Sequence, residues 1–277
     1  MTIQGNPAKR SKSDRRAEDV VDHRYIVPGL TRGLSLLALF TRRKPAQSLV
    51  ELATGLGLSR SAVYRLVYTL EKEDFLHREA NSGQYRLTSR ILTLGFAYLN
   101  ARGVLEIAEP ALRGLSDATS AAAYIVQLDG AHAVYLARAM PAAGLVSNLQ
   151  VGARLPAHAT ASGRILIAQK QGEELQRIFK LLKRESVIVP PPKTLADLQM
   201  QAQQDRKRGY VFHRSLINPG VVSFACPVRG KNGVTSAAVT VIGPEQLFAA
   251  LGGEKTLARI VSETALAISQ RLGYVER

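Results

Sequence analysis

Residues 48–73, SLVELATGLGLSRSAVYRLVYTLEKE, contain two helical patterns separated by a glycine-bearing turn. Ser48, followed by Glu51 three residues later, forms a capping box, which predicts the start of a short helix. The turn at 54–58 ends that helix, and Ser59 is a good N-cap for a longer one. A short capped helix, a tight turn and a second helix are the arrangement of a helix-turn-helix motif.

The second of these helices has an apolar face and a polar face. Val63, Leu66 and Val67 lie on the stripe that we expect to pack on a core. On the opposite face, arginine can donate two hydrogen bonds to guanine, and serine or tyrosine hydroxyls can reach bases or phosphates. We therefore predict that this face reads DNA. The residues assigned to it are Ser59, Arg60, Ser61, Tyr64, Arg65 and Tyr68.

The next segment has the turn chemistry of a β-hairpin. Extended runs at 75–79 and 85–88 flank the turn Asn81-Ser82-Gly83. Arg78 and Arg86 lie on these runs, where we expect them to contact DNA phosphates as the wing of a winged helix-turn-helix. A plain helical subdomain with a polar outer face is the alternative. The capping box, the glycine turn, the basic and aromatic face and the hairpin together favour DNA binding.

The overall charge favours an anionic partner. The 277 residues include 37 Lys and Arg against 22 Asp and Glu, a net charge of +15, which suits nucleic acid or an acidic membrane surface. A solvated basic surface without a partner is also compatible with this composition. No apolar run approaches the roughly 18 residues that span a bilayer, and no secretory signal is visible. With Cys226 as the single cysteine, these features predict a cytoplasmic protein that does not associate with membranes.

The helix and strand patterns divide the chain into four regions. Residues 1–24 are polar and charged and are predicted to form a disordered tail. A winged helix-turn-helix over 25–88 is followed by a linker helix over 89–103. From 104 to 277, strand patterns are interspersed with helical ones, which indicates an α/β or α+β domain. The predicted fold class of the whole chain is α+β.

Several segments resemble the IclR family of bacterial regulators, and the resemblance runs from about Tyr25 to the C-terminus. It implies a GAF-like α/β effector-binding domain, a homodimer or homotetramer, and palindromic operator sites in double-stranded DNA. RYIVPGLTRGLSLL and VGARLPAHATASGR favour the branch that controls aromatic-acid catabolism. The first helix of the family is similar to LTRGLSLLALF (30–40), and its helix-turn-helix to SLVELATGLGLSRSAVYRLVYTLEKEDFL (48–76). Its effector-domain signature is similar to GARLPAHATASGRILIA (152–168). Its closing strand pair is similar to RGYVFHRSLINPGVVSFACPV (208–228) with TSAAVTVIGP (235–244).

The loop HATASG, residues 158–163, precedes a helix that begins near Arg164. Small residues there leave backbone N–H groups open at a helix N-terminus, which suits a carboxylate. As the alternative, Thr160 and Ser162 simply cap the helix, and the residues alone leave the two interpretations even. The resemblance matches this loop to the effector-contacting loop of the family and puts Ala161 and Ser162 at ligand-facing positions.

Alignment with the family adds three residues to this site. His213 stands where many members have an acidic residue, Ser223 where some have cysteine, and Thr240 where some have serine. His213 could donate a hydrogen bond to a carboxylate or phenol of the ligand, whereas a histidine at a strand end is otherwise a satisfied polar residue. The predicted effector-binding residues are Thr160, Ala161, Ser162, His213, Ser223 and Thr240.

These features predict a sequence-specific transcriptional regulator whose binding to operator DNA is modulated by a small organic acid, carboxylic and in one interpretation aromatic. A ligand at 160–163 would change the disposition of paired reading helices through the linker helix. The first alternative also binds DNA: it is an architectural DNA-binding protein that has no effector.

A hydrolase-like enzyme is the alternative from another class. His158 and Ser162 are four residues apart, but no acid is placed to orient the histidine. The sequence therefore predicts no enzyme activity, no catalytic residue and no cofactor. A metal site is not predicted either, because no short ligand spacing relates His23, His77, His132 and Cys226.

Overall fold

The computed structural model of this chain describes residues 23–100, 104–142, 149–184, 189–215 and 218–276, with the backbone alone for 23 and 96–100. The predicted tail, residues 1–24, lies outside the described residues apart from its last two. The chain divides into two units, with the boundary between Phe96 and Ala97. No helix in the described ranges combines the length and the apolar character needed to cross a bilayer.

The first unit consists of helices packed on a small sheet. Its strands form an antiparallel sheet in the order β1-β3-β2, and a core of apolar side chains joins the helices to it. The elements are a 3-10 turn (His23–Tyr25), α1 (Pro28–Ala38), β1 (Ala46–Gln47), α2 (Leu49–Leu56), α3 (Arg60–Lys72), β2 (Leu76–Arg78) and β3 (Tyr85–Leu87), and α4 (Arg90–Asn100) crosses the boundary. The buried core residues are Leu36, Leu52, Ala53, Val63, Val67, Leu76 and Tyr85.

Local sequence chemistry accounts for α2 and α3. Ser48 Oγ accepts a hydrogen bond from the backbone N–H of Glu51, whose carboxylate accepts one from the backbone N–H of Ser48, so the predicted capping box is present. Gly57 ends α2 with a φ of 63°, a left-handed conformation that favours glycine. Ser59 Oγ accepts from the backbone N–H of Ala62 and starts α3. The predicted helix-turn-helix is therefore confirmed.

The second unit is built on one six-stranded sheet. Its order is β6-β5-β4-β9-β8-β7, and every neighbouring pair is antiparallel. The elements are α5 (Val104–Thr119), β4 (Ala122–Asp129), β5 (His132–Ala139), β6 (Arg154–Pro156), a 3-10 turn (Ala157–Ala159), α6 (Ala161–Ile167), α7 (Gly172–Arg184), α8 (Leu195–Arg208), β7 (Val211–Arg214), β8 (Val221–Arg229), β9 (Thr235–Pro244), α9 (Glu245–Ala250) and α10 (Gly253–Arg271).

Both faces of this sheet are covered, which explains why its central strands are almost continuously apolar. On one face, Ala123 and Ile125 of β4 belong to a core shared with α5 and α10. On the other face, Ala122, Tyr124 and Val126 pack with α6. We call this second surface the α6 face. Each strand contributes alternate residues to the two faces, so the face on which a side chain lies follows from its register.

Helix α6 is fixed in place by a close backbone approach and by an ion pair. A Cβ added to Gly163 would lie 2.2 Å from the carbonyl oxygen of Ala157, so a larger residue has no room there. Arg164 forms a bidentate ion pair with Asp205 of α8, with nitrogen-to-oxygen distances of 3.0 and 2.7 Å. Asp205 is only 6% exposed, and hydrogen bonds between charged partners are strong in such an environment.

The predicted α+β class, a winged helix-turn-helix followed by an α/β domain, is confirmed. Three short elements have no counterpart in the sequence-based prediction, namely β1, β6 and α9. Segments of two, three and six residues carry too little periodicity to be recognised, and they form because neighbouring elements pair with them.

Candidate nucleic-acid interface and ligand site

Helix α3 presents its predicted reading face to solvent. Val63 and Val67, on the opposite side, are completely buried in the core of the first unit. The rings of Tyr64 and Tyr68 are about half exposed, with centroids 6.4 Å apart. Every predicted reading residue is exposed, and these are Ser59, Arg60, Ser61, Tyr64, Arg65 and Tyr68.

The residues of this face differ in how free their polar groups are. Ser59 Oγ is occupied as the N-cap of α3 and lies 3.2 Å from Ser61 Oγ. Lys72 lies one turn beyond Tyr68, with Nζ 5.5 Å from the centre of the Tyr68 ring. Within the described residues, Arg60 and Arg65 form no ion pair. The two guanidinium groups are therefore the strongest hydrogen-bond donors that the helix offers to a nucleic acid.

The predicted wing is present, and its two arginines have partners within the hairpin. Arg86 of β3 forms an ion pair with Glu79, and Ser82 also donates a hydrogen bond to that carboxylate. These hydrogen bonds hold the pKa of Glu79 below its usual value. Arg78 Nε lies 3.4 Å from the carbonyl oxygen of Gly83. Both arginines remain exposed. To contact a phosphate, Arg86 must either bind it while keeping the ion pair with Glu79 or break that ion pair.

A basic turn beside the wing is absent from the sequence-predicted interface. Arg42, Arg43 and Lys44 are exposed, and a bridge between Thr41 and Lys44 closes the turn. Strand β1 follows directly and pairs with β3, so the turn lies next to the strand that carries Arg86. The run of basic residues is visible in the sequence. Its place beside the wing depends on strand pairing and could not be read from it.

In the second unit, the structure places the predicted effector residues on the α6 face. His213 and Ser223 are directly paired across β7 and β8. Thr240 of β9 pairs with Ala225 on one side and Tyr124 on the other, and both partners belong to the α6 face. Ala161 and Ser162 occupy the first turn of α6 and are buried. The topology thus brings residues from four distant segments to one surface.

The hydroxyl groups of this site already have partners in the protein. Thr160 Oγ1 accepts a hydrogen bond from the backbone N–H of Gly163 at 3.0 Å, so it caps α6 as the alternative interpretation proposed. Thr240 Oγ1 donates to the carbonyl oxygen of Phe224 at 2.9 Å. Ser223 Oγ lies 3.5 Å from the carbonyl oxygen of His213. A ligand would compete with these weak or local hydrogen bonds.

His213 is the residue of this site with an unused polar atom. Its Nε2 is buried and has no hydrogen-bond partner among the described residues. Burial lowers the pKa of the imidazole below its usual value, and the positive charge of Arg164 lowers it further, while the Ala159 backbone and Asp205 oppose this shift. The ring is therefore neutral near pH 7 and can donate or accept one hydrogen bond through Nε2.

Two buried tyrosines complete the site and are absent from the sequence-based prediction. Tyr124 and Tyr135 pack edge to face, with ring centroids 5.2 Å apart and an interplanar angle of 87°. Burial raises the pKa of Tyr135 to about 12, against the opposing effect of hydrogen bonds with Ser162 and Thr160. Both tyrosines lie in strands that are almost continuously apolar, so the sequence pattern does not indicate on which face of the sheet each side chain lies.

Other candidate groups have structural roles. His158, 7% exposed, has Nε2 2.9 Å from the carbonyl oxygen of Val189, and its Nδ1 is buried without a hydrogen-bond partner among the described residues. Cys226 is buried with Sγ 3.2 Å from Ser262 Oγ, and burial raises the pKa of the thiol to about 11, so it is protonated at neutral pH. The described ranges contain no group of three or more His, Cys, Asp or Glu side chains arranged to hold a metal ion.

A pocket of about 330 Å³ lies away from the α6 face. Its lining side chains carry no formal charge, so it offers little to an ionised ligand. They belong to Val104, Gln127, Gly230, Ser236 and Leu272.

Comparison with known families matches both units. Residues 29–80 match the family model of the IclR helix-turn-helix domain. Residues 96–270 match the model of the bacterial transcriptional regulator IclR C-terminal region.

Two relatives are similar over most of the chain. The Pca regulon regulatory protein of Pseudomonas putida is 31% identical over 86% of this chain and 80% of its own length. The transcriptional repressor IclR of Escherichia coli K12 is 27% identical over 86% of this chain and 87% of its own length.

Solved structures show the same fold. An IclR family transcriptional regulator from Brucella abortus has a TM-score of 0.70 at 26% identity, covering 92% of this chain and 96% of that one. An IclR homologue from Microbacterium hydrocarbonoxydans, in complex with 4-hydroxybenzoate, has a TM-score of 0.73 at 23% identity, covering 88% of this chain and 98% of that one.

Proposed function

Because the chain belongs to the IclR family of bacterial transcriptional regulators, we propose that it binds a specific operator and that a small organic acid bound in its second unit modulates this binding. The relatives are transcriptional regulators and not enzymes, so the hydrolase alternative is set aside. DNA and a small molecule are the partners that such a regulator requires.

The single observation that carries the DNA-binding part is the outer face of α3. This helix follows a capped helix and a glycine turn, and it exposes Arg60 and Arg65 without ion pairs in the described part of the chain. We assign base contacts to these arginines and to Ser61 and Tyr64, because arginine and hydroxyl groups recognise base edges in the major groove. Ser59, Tyr68, Arg78 and Arg86 are assigned to the surrounding phosphate contacts.

The effector is proposed to be a carboxylic acid, and more specifically an aromatic one. The loop 160–163, His213, Ser223 and Thr240 share the α6 face with the aromatic rings of Tyr124 and Tyr135. The Microbacterium homologue binds 4-hydroxybenzoate, and this supports the same class of ligand here. The unpartnered Nε2 of His213 suits a hydroxyl or carboxylate of such an acid.

The proposed organisation follows from these two functions. The domains are a winged helix-turn-helix over 25–88, a linker helix over 89–103 and an effector domain over 104–277. Recognition of a palindromic operator needs two reading helices, so the working form is a homodimer or a pair of dimers. A ligand on the α6 face would alter the disposition of the paired readers through the linker helix. A DNA-binding regulator of this kind acts in the cytoplasm.

Selection of fragments from a genomic library by the purified protein, followed by titration of the selected fragment, tests the function. We expect Arg65→Ala to weaken operator binding by about 1–3 kcal/mol and to relax the preference at one base position. Arg113→Ala, an exposed arginine of α5, is the control and should bind as the wild type does. An unchanged operator preference in Arg65→Ala would remove this residue from the reading face.

An architectural DNA-binding protein would behave differently in two measurements. Its binding would fall with salt but show no preference among duplexes, because phosphate contacts carry no sequence information. It would also show no shift of its unfolding temperature with small acids, since a ligand stabilises a protein only if it binds the folded state. A selected fragment and an acid-dependent shift together would exclude this alternative.

A further inference from the structure

Strand β5 contains a β-bulge that changes the direction of its last side chains. The pairing register shifts between Ile125 and Val126 of β4, and Leu136 is the additional residue on β5. Tyr135, before the bulge, lies on the α6 face. Strict alternation from Tyr135 would put Arg138 on the opposite face, but the additional residue shifts the alternation by one. The bulge therefore turns the side chain of Arg138 towards the α6 face.

A continuous set of contacts connects Arg138 with the loop before α6. Arg138 is the cross-strand partner of Tyr124, and its Nη1 donates a hydrogen bond of 2.9 Å to the carbonyl oxygen of Leu149. The hydroxyl of Tyr124 lies 3.5 Å from the same oxygen. The ring of Tyr124 packs against Tyr135, whose hydroxyl interacts with Ser162. Arg138 thus lies on the β5 side of the α6 face, and the two tyrosines connect it with Ser162, one of the proposed effector residues.

The charge of Arg138 is not balanced within the described residues. The side chain is half-buried, and none of the ion pairs in this part of the chain includes it. By contrast, Arg164 on α6 is neutralised by Asp205. A fully buried arginine is ordinarily paired, because an unpaired charge withdrawn from water is costly, and Arg138 is partly withdrawn from water. Among the described residues of the α6 face, the Arg138 guanidinium is therefore a cation available to an anionic ligand.

We propose that Arg138 binds the carboxylate of the effector and that the effector is an aromatic monocarboxylic acid. The proposal rests on the proposed function and names the residue that selects the chemical class of its ligand. The planar guanidinium fork can donate two parallel hydrogen bonds to the two carboxylate oxygens. The neighbouring tyrosine rings suit an aromatic acid because aromatic rings pack favourably edge to face.

Calorimetric titration of the full chain with 4-hydroxybenzoate and with uncharged 4-hydroxybenzamide tests this proposal. The wild type should bind the acid at least about tenfold more tightly than the amide, since truncating one partner of a buried charge pair has effects of this order or larger. Arg138→Gln should weaken binding of the acid by about the same factor and abolish the preference. Arg138→Lys retains the charge and should keep part of the preference.

Arg154→Gln is the matched control. Arg154 lies on β6, next to β5, but pairs with Val134, which faces α5 and α10, and it forms an exposed ion pair with Asp129. We expect this variant to bind both compounds as the wild type does. Thermal unfolding establishes that each variant is folded, and Arg138→Lys carries the test if Arg138→Gln is not.

Three outcomes would overturn the proposal: wild-type affinity for the acid in Arg138→Gln, equal affinity of the wild type for acid and amide, or no binding of the acid to the wild type at millimolar concentration. Operator binding is measured separately, without acid, so that failure of the Arg138 proposal can be distinguished from failure of the proposed function. Failure of the wild type to bind any operator would contradict the proposed function and leave an Arg138-dependent preference for the acid intact.

Discussion

Gly163 lies where the first turn of α6 comes closest to the preceding 3-10 turn. A Cβ at this position would lie 2.2 Å from the carbonyl oxygen and 2.4 Å from the Cα of Ala157, both of them backbone atoms that cannot rotate away. We expect Gly163→Ala to lower the free energy of unfolding by about 1–3 kcal/mol, the usual cost of overpacking. Urea unfolding measures the change.

Gly114→Ala provides the control for that experiment. Gly114 lies within α5, and nothing would contact an added Cβ within 4 Å. Alanine has the higher helix propensity, so this variant should gain up to about 1 kcal/mol. Equal effects of the two substitutions would show that the approach of Gly163 to Ala157 is not a constraint.

His213 makes the stability of the second unit depend on pH. Burial, and after it the Arg164 charge, lowers the pKa of His213 in the folded protein below 6.5, so the folded state binds this proton less readily than the unfolded chain. Stability therefore rises with pH in this range and is lost as the pH falls below the unfolded value of 6.5. From about pH 7.5 to about pH 5.5, the unfolding temperature of the wild type should fall further than that of His213→Gln.

The exposed histidine of the wing gives the comparison for this measurement. His77→Gln removes an exposed histidine from the first unit and shows whether loss of any histidine changes the pH dependence. If His213→Gln and the wild type lost stability in parallel, the neutral imidazole that we assign to the ligand site would be wrong.

Among the elements, the basic turn before β1 extends the proposed interface beyond α3 and the wing. Arg42, Arg43 and Lys44 are exposed beside β3, where a duplex lying along the wing would bring phosphates. Each phosphate contact adds about 0.9 to the slope of log affinity against log salt concentration. Neutralising all three residues to alanine should therefore reduce that slope by about 2–3 while preserving the operator preference.

A triple neutralisation on α7 separates local contact from net charge. Lys180, Lys183 and Arg184 are exposed and belong to the second unit. Alanine at these positions should leave the slope near the wild-type value. Similar slopes in the two triple variants would mean that the turn acts only through overall charge.

An element can be predicted from the sequence when the interactions that form it join residues close together in the chain. The caps at Ser48 and Ser59 act within three residues, so α2 and α3 could be predicted closely. The orientation of Arg138 depends on a bulge between two strands, and the position of the basic turn depends on the pairing of β1 with β3. Neither long-range pairing leaves a periodic signal along the chain.

The effector residues illustrate the same limit. Family resemblance, and not periodicity, identifies His213, Ser223 and Thr240, and the structure places them on one face. The ion pair between Arg164 and Asp205 joins two helices whose sequence gives no indication that they meet. This ion pair could be recognised only once the packing of α6 against α8 was known.

At the scale of the whole molecule, an apolar stripe in the first unit supports association of two chains. Leu30 and Leu34 are 62% and 61% exposed and lie one turn apart on one side of α1, and Val27, the N-cap of that helix, is 61% exposed. Clusters of exposed apolar residues commonly mark interfaces between proteins. We expect Leu30→Glu/Leu34→Glu to weaken self-association, measured by sedimentation equilibrium, and to reduce operator affinity with it.

Met200→Glu/Val234→Glu is the matched control for the measurement of self-association. Both residues are exposed, and both lie in the second unit. This variant should sediment as the wild type does. An unchanged molecular mass in the α1 variant would exclude α1 from self-association.

We propose that operator binding and acid binding are coupled, and coupling of equilibrium affinities is reciprocal. Fluorescence anisotropy of the selected operator, titrated with excess random duplex and with or without 4-hydroxybenzoate, tests it most directly. We expect binding that survives the competitor and a dissociation constant that changes with the acid. We also expect the operator to change the affinity for the acid by the same factor. Binding lost to random duplex, or a dissociation constant unaffected by saturating acid, would contradict it.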